Sequence, residues 1–158
     1  MQFWCSAQPT AWTWQWTAYI GIWGFIVLLV VAVIAWNRSA AKRAGQAPVP
    51  MHPLFVVGVL LLWLALDWPI GPLGASHLAS VHMLQFLLIG LVAPPLLLRG
   101  VSPAAQATLA NSRIIERLTS PVFALIVFNV TVLVTHLPFV ADALMPSQLG
   151  SMVIDLAW

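Results

Sequence analysis

Residues 24–36 read GFIVLLVVAVIAW, a run with no charged or amide side chain and no polar stripe at any helical spacing. A helix that is apolar all round has no face to offer water, so it belongs in lipid or in the middle of a large core. A large core is not available in 158 residues, of which 61% are hydrophobic and only 6% charged. Soluble domains carry about 25% charged residues. The chain therefore reads as an all-α, polytopic transmembrane bundle.

Working outward, about 20 apolar residues are needed to cross the hydrocarbon core, because lipid offers backbone groups no hydrogen-bond partners. Four segments meet that need, at about residues 18–36, 53–68, 79–98 and 121–140, and together they make one transmembrane domain over residues 1–158. Residues 141–158, interrupted by Pro146 and Gly150, read as an interfacial segment, and GQAPVP at 45–50 reads as a stiff connector. Pro94 and Pro95 remove backbone donors near the end of the third span, which predicts a kink or an early helix exit there.

All six basic residues fall in two places: Arg38, Lys42 and Arg43 after the first span, and Arg99, Arg113 and Arg117 between the third and fourth. By the positive-inside rule both loops are cytoplasmic, which puts the N-terminus outside, periplasmic in a bacterial inner membrane. Arg99 is placed to reach the anionic headgroup layer. The formal charge of +2 comes without any basic run, so nucleic acid is not an expected partner. The first charged side chain is Arg38, so the basic start of a signal peptide is lacking and the N-terminal stretch is expected to be retained. That stretch holds Trp4, Trp12, Trp14 and Trp16, and Trp68 follows the second span. Interfacial anchoring is the expected role of these rings, with a partner-facing surface as the alternative.

On this topology Asp67, His77, His82, His136 and Asp142 gather near the outer ends of the second to fourth spans, while His52 lies on the cytoplasmic side. Ionisable groups within spans are costly and usually paired or functional. Imidazole and thioether suit copper, so His82, Met83 and His136 form a candidate metal set, with Asp67, His77 and Asp142 as orienting groups around it. The alternative is that the histidines only hydrogen-bond, to each other or to Asp67, Asn129, Thr135 or water. His82 and His136 are also a candidate axial pair for a b-type haem. Cys5 is the only cysteine, so no intramolecular disulfide exists and the chain has at most one thiolate ligand. No hydrolase or nucleotide-binding motif occurs, and no catalytic residue is expected.

Residues 69–100, PIGPLGASHLASVHMLQFLLIGLVAPPLLLRG, together with HLPFVADAL at 136–144, resemble the membrane-integral CtaG-type family of bacterial cytochrome c oxidase assembly factors. The first stretch matches a family helix that opens H-M-x-x-H and ends A-P-P-L-L, through His82, Met83, Gln85 and the run 93–97. The second is similar to a Trp-His-Leu-Pro segment followed by an Asp-Ala pair. Phe86 stands where the family has its second histidine, and no later histidine pair follows in residues 148–158. The resemblance implies a non-enzymatic role in oxidase maturation. On this reading the chain is an assembly or accessory subunit with a degenerate metal site, docked among the integral membrane subunits of a respiratory or photosynthetic electron-transfer complex. Its alternatives are copper delivery to cytochrome c oxidase and a haem-binding electron carrier. The expected cofactor is accordingly none, or copper.

Overall fold

The computed structural model describes residues 1–9 and 11–158, and among them nine helices account for the regular structure. They are α1 (Ile20–Arg43), α2 (Pro53–Leu66), α3 (Ile70–Ser76), α4 (Ala79–Leu98), α5 (Pro103–Ala110), α6 (Arg113–Leu118), α7 (Pro121–Thr135), α8 (Pro138–Leu144) and α9 (Gln148–Ala157). Proline stands at the first position of α2, α5, α7 and α8, where its missing N–H costs nothing and its fixed φ starts the helix. Ser102, Ser112 and Ser147 cap α5, α6 and α9 by accepting a backbone N–H.

Two helices, α1 and α4, are long and apolar enough to cross a membrane on their own. At 1.5 Å per residue, α1 rises about 36 Å and α4 about 30 Å, against a hydrocarbon core of about 30 Å. The second and fourth expected spans are each broken. Helix α2 bends by 44° into α3 after Asp67, and α7 bends by 71° into α8 at His136 and Leu137. The molecule thus has two to four candidate spans, and the low burial of α1 and α4 makes it a membrane protein whose apolar surface faces outward.

The prolines in α4 do not end the helix. Their effect appears one turn earlier, as a π-helical turn over Leu88–Val92, in which the N–H of Ala93 reaches back to the carbonyl of Leu88. A wider turn makes room for proline rings whose preceding-turn carbonyls have lost their donors, so the helix runs on to Leu98.

The buried core is small and falls into two clusters, the lesser one formed by Ala40, Val101 and Ala105 and the larger one centred on the N-terminal stretch. Trp4, Cys5 and Tyr19 pack there with Ile22, Leu66 and Ala65. Trp4 is only 1% exposed, which corrects its reading as an interfacial anchor. Its ring is buried because its indole donates to Asp155 at 2.7 Å and its backbone is clamped by Gln148. Trp14 and Trp16 do remain exposed. At the opposite end Asn37 joins α1 to the loop after α4, donating to the Gly100 carbonyl at 2.6 Å and accepting from the Ser102 N–H at 2.9 Å.

Candidate functional site

His82 sits in the first turn of α4, and His136 at the break where α7 gives way to α8. Two local features position these side chains. Gly74 lets α3 lie against α4: a Cβ there would stand 3.2 Å from the His82 Cα and 2.5 Å from the Gln85 amide oxygen. Pro138 cannot continue the hydrogen-bonded ladder of α7, so the chain turns at His136 and presents its ring at the helix end. The two imidazole centroids lie 5.9 Å apart with their planes at 68°.

Trp158 completes the group. Its ring stacks on His136 at 5.9 Å and 21° and meets His82 edge-on at 5.2 Å. Phe86, one turn below His82, packs edge-on against Trp158 at 5.4 Å and against His136 at 6.2 Å. The indole N–H of Trp158 donates to the Thr135 hydroxyl at 3.1 Å, and that hydroxyl in turn donates to the Thr131 carbonyl at 2.8 Å. The His136 Nδ1 is 2.8 Å from the Val132 carbonyl, which can only accept, so Nδ1 is the protonated nitrogen of the neutral tautomer and Nε2 is the one through which that tautomer could bind an ion. An open groove of 410 Å³ runs past these residues, with His77, Met145 and Ile154 further along its lining.

The other expected ligands are elsewhere. Met83 is 52% exposed and does not line the groove, because the next residue on a helix points about 100° away. Asp67 caps the end of α2 and accepts from the Trp23 indole at 2.7 Å and from its own neighbour's N–H, Trp68, at 2.8 Å, so its bonds go to indole and backbone rather than to imidazole. His77 packs edge-on against Trp12 at 5.4 Å, and Asp142 is exposed on α8. Asn129 bonds back to Leu125 within its own helix. Among the described residues no set of three or more His, Cys, Asp or Glu converges on a metal position. Residue-level reading of the sequence missed Trp158 and Asp155. Ser151, Ile154, Asp155 and Trp158 follow the i, i+3, i+4, i+7 spacing of one helical face, and that spacing was the available signal.

The donor set decides which groups fit. Two imidazoles fall short of the four ligands of a structural zinc site, while nitrogen donors suit copper. With metal–nitrogen bonds of about 2 Å, an ion shared by two imidazoles holds their centroids about 6 Å apart, close to the separation found. A haem needs a flat slot between its axial rings, and Trp158 and Phe86 crowd that space.

A helical membrane protein with a histidine pair at the meeting of two helix ends is the class that fold and site define. The model of one family, the cytochrome c oxidase caa3 assembly factors, matches residues 27–157. The chain belongs to that family. No match was found among curated proteins or solved structures.

Proposed function

We propose that this chain is a four-span assembly factor that carries copper, as cargo, toward cytochrome c oxidase at the His82–His136 pair. The observation that carries the reading is the pair itself: residues 54 positions apart, on different helices, come within 5.9 Å, with Nδ1 of His136 held at the Val132 carbonyl.

Parity supports the four spans. Trp23, at the start of α1, is bonded to Asp67, at the end of α2, so the two lie on one side of the membrane and α2 returns what α1 crosses. His82, at the start of α4, touches His136, at the end of α7, and the same logic pairs those helices. Asn37 bonded to Gly100 and Ser102 joins the two opposite ends. With the arginine-bearing loops cytoplasmic, the histidine pair faces the periplasm of a bacterial inner membrane.

A second reading, docking within the oxidase without metal, is favoured by α7, which has no buried residue and offers an apolar surface to partner helices. One experiment separates the two. Cells relying on His82→Ala, His136→Ala or the double variant are compared for the copper content and activity of their oxidase, and for co-purification of this chain with it. Copper delivery predicts copper-poor oxidase with the association intact. Copper at the wild-type level in the double variant would rule delivery out in favour of docking.

A further inference from the structure

The site has two ligands and no counter-charge. Its immediate neighbours are Trp158, Phe86 and Thr135, all neutral. Asp142 is exposed and Asp67 is bonded to Trp23. Asp155, on the helix that Trp158 caps, is turned to Trp4. Removing a divalent ion from water without a carboxylate to offset it costs far more than removing a monovalent one, since the solvation term grows with the square of the charge. An aromatic face answers part of that demand, because its quadrupole attracts cations and indole does so best.

We propose that Trp158 is the third wall of the metal position, an aromatic cap that replaces a further ligand and makes the site selective for a soft monovalent cation, Cu(I). The proposal rests on the copper reading above. The ring is within 6 Å of both imidazoles and is held there by the Thr135 hydroxyl, so it is anchored before any ion arrives. Phe86 packs edge-on against it at 5.4 Å. The loss of a second histidine at position 86 is thereby compensated: the side chain that replaces a ligand supports a ring that covers the ion. At the pair itself the ion is held by two nitrogens, with His77 and Met145 further along the groove, so it is free to leave for a partner with three or four ligands.

The test uses the full chain in detergent under anaerobic conditions, titrated with Cu(I) against a chelator, with Ag(I) as a redox-inert monovalent probe and Zn²⁺ as the divalent control. Wild-type protein is expected to bind one Cu(I) or Ag(I) and to discriminate against Zn²⁺. Binding is accompanied by quenching of one of the nine tryptophans. Trp158→Phe keeps a weaker face and Trp158→Leu removes it, so affinity falls in that order, by about tenfold for leucine, and the quenching disappears in both. Thr135→Val leaves the ring but frees it, and gives an intermediate loss. If wild-type protein binds no Cu(I), the copper reading fails and this proposal with it. If Cu(I) binds and is lost in His82→Ala, yet Trp158→Leu binds it equally well with the same quenching, the copper reading stands and the aromatic cap is overturned.

Discussion

Asp155 holds a carboxyl group inside a nearly charge-free molecule with the Trp4 indole as its hydrogen-bond donor. Burial raises its pKa from 3.8 to about 7, and the Trp4 N–H opposes that shift only in part. The neighbouring titratable groups stay neutral through this range: burial, then Asp155, pushes the Cys5 thiol up to about 12, and burial, then Cys5, raises Tyr19. A group whose pKa is higher in the folded state is stabilising below its unfolded value and loses that contribution as pH rises to the folded value. Thermal stability in detergent is therefore expected to fall between about pH 4 and 7 with a slope of about one proton, and Asp155→Asn is expected to flatten it. A pH profile unchanged by that substitution would remove Asp155 as its source. None of this was legible in the sequence, where Asp155 looks like one acid of an interfacial segment. Its partner, Trp4, is 151 positions away and no local pattern links them.

At the scale of elements, α2 and α4 show how much depends on one missing side chain. A Cβ at Gly58 would stand 2.9 Å from the Leu96 Cβ and 3.0 Å from the Leu97 backbone nitrogen. Close backbone approach at small residues is the usual basis of helix pairing where lipid removes the hydrophobic drive. Gly58→Leu is expected to cost about 1–3 kcal/mol and to lower the unfolding temperature. Gly24→Leu, with nothing within 4 Å of its Cβ, is expected to leave it unchanged. Equal effects at both sites would mean that helix propensity, not packing, sets the response. The apolar runs made α1 and α4 legible from the sequence, since length and hydropathy suffice for a straight span. The breaks in the other two were less so. Asp67 and Pro69 in one, and His136 and Pro138 in the other, mark where a helix stops, but the bend angle depends on what the next segment packs against. Likewise Pro94 and Pro95 announced a disturbance, and its form as a π turn depends on the ladder around it.

For the whole molecule, the proposed four-span arrangement draws on two independent lines, the placement of six basic residues and the parity of contacts between helix ends, and a labelling experiment tests it. Cys5 makes the test convenient, because it is buried and its thiol is held protonated, so native protein contributes little background labelling. Cysteines placed at Thr13 and Ala107, both exposed, are expected to react oppositely with a membrane-impermeant maleimide on intact spheroplasts: the first labels, the second only after lysis. The reverse pattern would turn the molecule over and put the histidine pair in the cytoplasm. At this scale the candidate site was half legible. His82 and His136 were singled out by their place in apolar helices, whereas the ring that joins them follows α9, whose position no charge rule or hydropathy window reports.

The bond between Trp4 and Asp155 also has a bearing on biogenesis. Residues 1–19 leave the ribosome before the segment that will hold them has been translated. For the time needed to make some 150 more residues, the Trp4 indole and the backbone groups later held by Gln148 have no lasting partner. This end of the protein is therefore assembled after synthesis of residues 148–158, and a nascent chain stalled before them would present His82 and His136 with neither the tryptophan beside them nor the clamp on Trp4.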